Sequence, residues 1–389
     1  MIYVGEFEVY LFVQMKEMKN IPVLLLTGYL GSGKTTLVNR ILSNRKGIRF
    51  AVIVNDIGEV NIDAALIAKD GIVGGGDDSL VSLQNGCICC TLKMDLVEQI
   101  SGLVATGRFD YIVIEASGIC EPEPIARTIC SIPYLDERYT ANGCASLDCI
   151  VTVVDALRMR DEFACAKSLL RGNIGEDDIE NLVIQQIEFC NMVLLNKASE
   201  LSPDELGKVR QIVSALQPKA QIIECDYGDV ELEKILNTGL FDYDSVAASA
   251  SWITEVEKGA DADEGEALEY GIGTYVYYNR RPFDINKFDE FVAKHWPVGI
   301  IRAKGMCYFT DNTDICYIFE QAGAQISLKN VGQWYATMPE DDLKEQLAHD
   351  AALRRDWDPL YGDRMQKLVF IGQKLDRDAL KSALDFCLE

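Results

Sequence analysis

The sequence contains only two histidines, His295 and His349, among its 389 residues. Each stands without a cysteine or a second histidine close by, so a histidine-based metal site is not predicted. Basic residues are also scarce: 37 Lys and Arg stand against 61 Asp and Glu, and the formal net charge is -24. Because nucleic acids and anionic membranes are bound through clustered basic side chains, this balance disfavours both as partners.

Long apolar runs are absent as well. None approaches the roughly 18 residues that a membrane span needs, and the longest are strand-length segments such as PVLLL. The N-terminus, MIYVGEFEVYLFVQ, begins with acidic residues and lacks a small-residue cleavage site, which argues against a secretory signal. We interpret it as an extra strand or as an over-long start, for which Met15 or Met18 would be a tidier beginning.

The composition that remains is that of a soluble globular protein, with 48% hydrophobic and 25% charged residues and a length that suffices for two domains. Thirteen cysteines without an export signal indicate a reducing compartment, the cytoplasm. There, close cysteine clusters bind metals or catalyse more often than they form disulfides. Single cysteines in apolar stretches, such as Cys149, Cys165 and Cys190, are interpreted as small buried side chains.

Residues 21–245 alternate short apolar segments with helical patterns. The apolar segments are nearly continuous in Leu and β-branched residues, which is typical of parallel strands covered on both faces. They read IPVLLLTG, RFAVIVND, YIVIEASG, CIVTVVDA, NMVLLNKA and AQIIECDY. TTLVNRILSN and SPDELGKVRQIVSAL are predicted as crossover helices, the second with Ser202 as its N-cap. The prediction is an α/β domain with a parallel sheet flanked by helices, preceded by an extension over residues 1–20.

A smaller α+β domain is predicted over residues 271–389, after a small and acidic linker at 246–270. Strands are predicted at GTYVYYN, ICYIFEQ and KLVFIG, and helices at DINKFDEFVAKHW and DRDALKSALDFCL. In the first of these helices, one face is predicted to carry Phe288, Phe291, Val292 and His295.

The segment TGYLGSGKTT follows a predicted strand and opens a predicted helix. It fits the pattern G-x-x-x-x-G-K-[ST]. Glycines let backbone N–H groups turn toward phosphate oxygens, and the helix N-terminus adds its positive end. Lys34 is expected to reach the β and γ phosphates and Thr35 to ligate magnesium. The predicted nucleotide-binding residues here are Gly28, Gly31, Ser32, Gly33, Lys34, Thr35 and Thr36.

Two further segments complete the predicted nucleotide site. DYIVIEASG ends a strand with Glu115, a second ligand for magnesium, and continues to Gly118, whose N–H would sense the γ phosphate. Asp155, which closes CIVTVVDA, is interpreted as a structural or general polar residue. NMVLLNKAS ends with Asn196 and Lys197, as in the N-K-x-D element that selects guanine.

The segment LQNGCICCTLKMDL places Cys87, Cys89 and Cys90 on one short stretch. Three thiolates suit zinc in tetrahedral geometry and leave one position open. Because thiolates are soft ligands, copper(I) also fits, and cobalt(II) and nickel(II) fit less well. Glu59 or a backbone-held water is the expected fourth ligand. Redox or incidental thiols are the alternative, although C-x-C-C lacks the C-x-x-C spacing of thioredoxin-like sites.

These motifs together resemble the CobW-like family of P-loop GTPases, relatives of the urease and hydrogenase accessory GTPases regarded as metal chaperones or insertases. NDIGEVNID, NRRPFD, IRAKG and RMQKLVFIGQKLD add to the likeness, which covers residues 21–389. It implies a metal site at the three cysteines, coupled to a switch segment that holds Glu59 and Asp63. It also implies a GTP-driven cycle of metal loading and release.

Two departures from the family pattern qualify the resemblance. Ser199 stands where N-K-x-D has its aspartate, and Glu200 is adjacent, so both GTP and ATP stay open as the nucleotide. The linker lacks the histidine-rich tract of many relatives, which argues against bulk metal storage.

The expected function is slow GTP hydrolysis coupled to delivery of zinc, or another divalent transition metal, to a client metalloprotein. The client is expected to bind through the C-terminal domain or the switch surface, and a nucleotide-dependent homodimer is a further candidate assembly. Hydrolysis is expected to be slow because the sequence offers no recognisable arginine finger. The alternative is a nucleotide-dependent activator or scaffold for a metalloenzyme or corrinoid pathway, with a structural zinc.

Overall fold

The computed structural model of the protein describes residues 20–43, 47–54, 80–82, 93–164, 177–247, 271–322 and 325–389. The described parts of 1–156, 185–200 and 220–247 form one compact unit. Those of 157–184, 201–219 and 248–389 form a second. Most of the predicted extension and linker lie outside the described residues, and the predicted boundaries stay a prediction.

The first unit contains the parallel sheet that the sequence predicts. Its seven strands within the described ranges are β1 (Asn20–Thr27), β2 (Phe50–Val54), β3 (Leu80–Ser82), β4 (Tyr111–Glu115), β5 (Cys144–Asp155), β6 (Met192–Asn196) and β7 (Gln221–Glu224). They lie in the order β3-β2-β4-β1-β5-β6-β7, and every neighbouring pair is parallel. All six predicted strands are confirmed. The short strand β3 was not predicted.

Burial explains why these strands lack polar alternation. All five residues of β2, of β4 and of β6 are buried, so both faces of the central sheet are covered. The carboxyl ends of parallel strands meet at one edge of a sheet. The polar residues that end β4, β5 and β6 are therefore brought to that edge: Glu115, Asp155 and Asn196.

Helices connect the strands of the α/β region. They are α1 (Lys34–Leu42), α2 (Lys93–Thr106), α3 (Pro122–Ser131), α4 (Ala156–Met159), α5 (Asp177–Glu188), α6 (Pro203–Leu216) and α7 (Tyr243–Ala247). Both predicted crossover helices, α1 and α6, are present. Ser202 caps α6 as predicted: its side chain accepts from the backbone of Glu205, whose carboxylate accepts in return from the backbone N–H of Ser202. Such a cap stabilises a helix by about 1 kcal/mol.

The second unit contains an antiparallel sheet with helices, which confirms the predicted α+β class. Its strands are β8 (Ile272–Asn279), β9 (Ile300–Phe309), β10 (Asn312–Ala322), β11 (Gln325–Gln333) and β12 (Gln366–Gln373), in the order β11-β10-β9-β12-β8. The helices are α8 (Ile285–Lys294), α9 (Glu340–His349), α10 (Ala351–Arg355) and α11 (Arg377–Phe386). Within the described ranges of the chain, no helix is long and apolar enough to cross a membrane.

One predicted helix face is shorter than expected. Phe288 and Phe291 are buried in the aromatic core of this unit. Helix α8, however, ends at Lys294, and His295 is an exposed C-cap with φ -126°. Pro297 explains the early end, because a proline disfavours helical backbone in the residue before it. His295 therefore does not belong to the buried face.

Candidate nucleotide-binding site

The glycine-rich loop lies between β1 and α1. Gly28 has φ +133°, and a Cβ built on it would lie 2.2 Å from the backbone oxygen of Val153 in β5. Gly33 has φ +108°, and its Cβ would lie 2.3 Å from Nδ2 of Asn196. The loop thus takes a left-handed backbone in close contact with two neighbouring strands, which only glycine allows. Ser32 is buried within the loop, whereas a Cβ built on Gly31 would have nothing within 4 Å.

The ammonium group of Lys34 is enclosed by its own loop. Nζ donates to the backbone oxygen of Gly28 at 2.6 Å and of Tyr29 at 3.1 Å, and the side chain is buried. The cation therefore lies inside the loop whose backbone N–H groups would bind phosphate. The contact of Lys34 with the β and γ phosphates stays a prediction.

A hydroxyl and a carboxylate meet at the start of α1. Oγ1 of Thr35 donates to Oε1 of Glu115 at 3.0 Å, and Glu115 is buried at the end of β4. The register of β1 and β4, in which Leu26 pairs with Glu115, brings these groups together. Hydroxyl and carboxylate oxygens are the hard donors that magnesium prefers. The two residues predicted to hold magnesium are thus adjacent and have the right chemistry.

Gly118 lies close to the glycine-rich loop between β1 and α1, which we call the phosphate loop. A Cβ on Gly118 would lie 2.6 Å from the backbone nitrogen of Leu30. Gln186, which sequence reasoning missed, holds this segment from the other side. Its buried amide donates to the backbone oxygens of Gly118 at 3.2 Å and of Cys120 at 3.1 Å. Any side chain at 118 would therefore displace the segment after β4 or the loop itself.

Asn196 links two loops at the same sheet edge. Its Nδ2 donates to the backbone oxygen of Ser32 at 2.7 Å, and its Oδ1 accepts from the backbone N–H of Gly228 at 3.1 Å. Lys197 follows with φ +61° and forms an ion pair with Asp155. The sequence predicts Asp155 only as a structural or general polar residue. The structure shows its ionic partner, Lys197.

Ser199 has a carboxylate beside it, although not one within its own motif. Its backbone N–H and its hydroxyl both donate to Oδ1 of Asp226, at 3.1 Å and 2.9 Å. Sequence reasoning missed Asp226. Its position directly after β7, at the edge where the other site residues lie, was the signal that could have found it.

The chain matches two known protein families. Residues 22–224 match the family described as "CobW/HypB/UreG, nucleotide-binding domain", and residues 272–388 match "Cobalamin synthesis protein cobW C-terminal domain". The chain belongs to the CobW-like family of P-loop GTPases. The resemblance stated from the motifs is therefore confirmed.

Curated relatives of this CobW-like chain carry zinc in their names. The "Zinc-regulated GTPase metalloprotein activator 1" of Dictyostelium discoideum is 34% identical over 97% of this chain and 81% of the relative. The "Zinc chaperone CobW" of Pseudomonas aeruginosa is 32% identical over 57% of this chain and 61% of the relative. Among solved structures, Zn(II)-bound YjiA GTPase from E. coli matches with a TM-score of 0.42 and 21% identity, covering 96% of this chain and 100% of that one.

The predicted metal ligands of the CobW-like chain, Cys87, Cys89, Cys90 and Glu59, lie outside the described residues. Within the described ranges, no group of three or more His, Cys, Asp or Glu side chains could hold a metal ion. Cys149 and Cys190 are buried as expected, and burial raises the pKa of each thiol to about 12. They behave as small apolar residues rather than as ligands.

Proposed function

We propose that this protein is a GTP-hydrolysing metallochaperone that binds zinc at Cys87, Cys89 and Cys90 and delivers it to a client metalloprotein. The observation that carries the proposal is that three adjacent parallel strands, β3, β2 and β4, end in register with one another. Ser82 of β3 pairs with Val54 of β2, which pairs with Glu115 of β4. The chain continues from these three ends into the cysteine motif, the switch segment and the γ-phosphate segment.

The distance between these starting points is short. Neighbouring strands lie about 4.8 Å apart, so the ends of β3 and β4 are separated by about 10 Å. A change in the segments after β2 and β4 on loss of the γ phosphate can therefore reach the segment after β3. By this route, hydrolysis would change the affinity of the three thiolates for zinc.

The nucleotide chemistry is assigned to residues around the loop. Lys34 would bind the β and γ phosphates, the N–H of Gly118 would contact the γ phosphate, and Thr35 with Glu115 would hold magnesium. When bound, magnesium supplies positive charge against the phosphate oxygens. Gly28, Gly31, Ser32, Gly33 and Thr36 would surround the phosphates, and Asn196 and Lys197 would border the base.

Zinc is favoured as cargo by the donor set and by the relatives. Three thiolates leave one of zinc's four tetrahedral positions for Glu59 or water, and an incomplete site can pass its ion on. The Dictyostelium and Pseudomonas relatives are named for zinc regulation and zinc chaperoning. We place the cycle in the cytoplasm, a reducing compartment in which the three motif thiols would stay available to the metal.

A nucleotide-dependent activator of a metalloenzyme is the second candidate function. It is favoured by the edge strand β11, which exposes Ile326, Leu328 and Val331 and so offers an apolar strand for a client. In this case zinc at the cysteines would be structural. The triple variant Cys87→Ser, Cys89→Ser, Cys90→Ser separates the two functions: an activator keeps maturing its client, whereas a metal carrier does not.

Zinc affinity tests the proposed cycle. It is measured by competition with a chromogenic chelator for protein without nucleotide, with GDP and with a non-hydrolysable GTP analogue. We expect affinities that differ by at least tenfold between the GDP and GTP-analogue states. Lys34→Ala should abolish the difference, and Cys130→Ser, outside the motif, should leave it intact. Equal affinities in all three states of the wild-type protein would remove the coupling.

A further inference from the structure

The residue that selects guanine in an N-K-x-D element is a carboxylate, and this chain has Ser199 at that position. A serine hydroxyl offers one donor and acceptors, but no pair of negatively charged oxygens. Glu200 is adjacent in sequence, yet it is Asp226 that accepts the hydrogen bonds of Ser199. The strands that precede Ser199 and Asp226, β6 and β7, are direct parallel neighbours.

The carboxylate of Asp226 retains unused acceptor capacity. Both Ser199 donors go to Oδ1, and Oδ2 accepts no hydrogen bond from any described residue. A carboxylate has about four acceptor positions. The side chain is only half-buried, so these remaining positions are accessible to a ligand.

The loop that carries Asp226 is fixed to the phosphate loop. Gly228, two residues further on, donates to Asn196, and Asn196 donates to the backbone of Ser32. Gly228 has φ +64°, and its Cβ position would be 3.3 Å from the backbone of Leu37 in α1. A single buried side chain therefore joins the phosphate loop to the segment that begins with Asp226.

The direction of a bound nucleotide follows from the order of the strands. The magnesium pair, Thr35 and Glu115, lies on the β4 side of β1, whereas β5, β6 and β7 lie on the other side. A nucleotide whose terminal phosphate meets this pair extends its base toward the loops after β6 and β7. Asp226 and Ser199 are at that end.

We propose that Asp226 supplies the guanine-selecting carboxylate that position 199 lacks, with Ser199 orienting it. The carboxylate accepts hydrogen bonds from N1–H and the exocyclic amino group of guanine. Adenine has an acceptor at N1, so the same carboxylate would face a lone pair and disfavour it. The proposal rests on the guanine nucleotide cycle proposed above, and it resolves the base choice that Ser199 left open.

The variant Asp226→Asn tests this directly. The amide keeps an oxygen for Ser199 but replaces one carboxylate oxygen by a donor. Losing a charge-assisted hydrogen bond of about 1.5–3 kcal/mol corresponds to about 10- to 150-fold weaker GDP binding. Xanthine has a carbonyl where guanine has its amino group, so the variant should bind xanthosine diphosphate more tightly than the wild type does. Affinities for GDP, ADP and xanthosine diphosphate are measured by calorimetry, and circular dichroism confirms the fold.

An exchange of the two residues provides the rescue. Ser199→Asp alone places two carboxylates side by side and should weaken GDP binding. The double variant Ser199→Asp, Asp226→Ser restores one carboxylate and one hydroxyl, and it should recover GDP preference over ADP. Asp229→Asn, an exposed acid of the same loop that pairs with Arg40, and Glu200→Gln are the matched controls, and both should bind GDP as the wild type does.

The outcomes separate this inference from the proposed function. Unchanged GDP and xanthosine diphosphate affinities in Asp226→Asn would overturn the role of Asp226, and so would loss of guanine preference in Glu200→Gln. Either result leaves the zinc cycle intact. Conversely, zinc affinities that ignore the nucleotide would remove the cycle, while the base selectivity of the Asp226 variants would still be measurable.

Discussion

Nδ2 of Asn196 donates to the backbone oxygen of Ser32, 2.7 Å away, and this one contact joins the end of β6 to the phosphate loop. Asn196 is buried and also accepts from Gly228, so both ends of its amide are used. Asn196 thereby joins the loop proposed to bind the phosphates to the segment proposed to recognise the base.

Asn196→Asp should uncouple the two loops. A carboxylate cannot donate to the oxygen of Ser32 and would repel it, and leaving a buried acceptor unsatisfied costs about 1–3 kcal/mol. We expect that loss in the free energy of unfolding and a weaker affinity for GDP, measured by urea denaturation and calorimetry. Asn142→Asp, at an exposed position, should change neither quantity. Equal stability of the Asn196 variant and the wild type would contradict the role of this contact.

Gly28→Ala should lower stability and nucleotide binding, whereas Gly102→Ala should do neither. The new Cβ would approach the oxygen of Val153 to 2.2 Å at a backbone φ of +133°, so the strand or the loop must move. We expect a loss of at least 2 kcal/mol in stability, about what a strained backbone position costs, and loss of nucleotide binding. Gly102→Ala is the matched control: it lies in α2 with nothing within 4 Å of its Cβ position and should stabilise by about 0.5–1 kcal/mol. Thermal melts with and without GDP decide both.

The proposed magnesium pair, Thr35 and Glu115, predicts a separation of nucleotide binding from hydrolysis. Glu115→Gln keeps an oxygen for the hydroxyl of Thr35 but removes the charge that magnesium needs. We expect GTP hydrolysis to fall at least 100-fold and the affinity for GTP to lose its magnesium dependence. Phosphate release and titrations at varied magnesium measure these effects, with the exposed Glu137→Gln as control. Unaltered magnesium dependence in the Glu115 variant would assign the ion elsewhere.

The strand, the glycine-rich loop and the helix of the predicted phosphate site could be predicted because their sequence patterns are local. The strand β1, the glycine pattern and the helix α1 follow one another within a short stretch, and each signal refers to its neighbours in sequence. The contact of Asn196 with Ser32 depends instead on how β6 and β1 are placed by the sheet. Asp226 was missed for the same reason, because its contact with Ser199 joins the segments that follow two different strands, β7 and β6.

The strand β9 was missed for a different reason. Its sequence, IIRAKGMCYF, carries Arg302 and Lys304, which break the apolar pattern of a buried strand. Both are nonetheless in the sheet interior: Arg302 is fully buried, and Lys304 pairs with Glu320 of the neighbouring β10 at 2.7 Å. A buried charge is tolerated when its partner is opposite, and that partner is visible only once the strands are paired.

The pair of Lys304 and Glu320 should make the second unit sensitive to acid. Burial alone would raise the pKa of Glu320, but Lys304, with Arg302 and Lys329 nearby, outweighs burial and lowers it. A carboxyl with a lowered pKa in the folded state adds stability above its unfolded pKa of about 4.3. That stability is lost as the pH falls through the lower, folded value.

Glu320→Gln should therefore lower stability at pH 7 by about 3 kcal/mol, because it removes the buried carboxylate that pairs with Lys304, whose side chain is only 15% exposed. The same variant should flatten the acid limb of the stability curve below about pH 4. Urea denaturation from pH 3 to pH 7 measures both. Glu340→Gln, which breaks the exposed pair with Lys344 on α9, should cost no more than about 0.5 kcal/mol. Parallel stability curves for Glu320→Gln and the wild type would show that the pair does not act in this way.

Removal of zinc should expose fast-reacting thiols in the cysteine motif and nowhere else among the cysteines described. Cys120 is fully buried, and burial raises the pKa of Cys130, of Cys144 and of the six other described thiols. A thiol with a raised pKa carries little thiolate, the reactive form, near neutral pH.

We expect N-ethylmaleimide at pH 7 to modify Cys87, Cys89 and Cys90 rapidly in chelator-treated protein. Re-addition of zinc should slow all three at least tenfold, because a thiolate bound to the ion cannot attack. Peptide mass spectrometry over time assigns each modified residue, and Cys130, the half-exposed control, should react slowly with or without the metal. Equal protection of Cys130 and the motif by zinc, or rapid labelling of the motif in the zinc-loaded protein, would place the metal at other ligands.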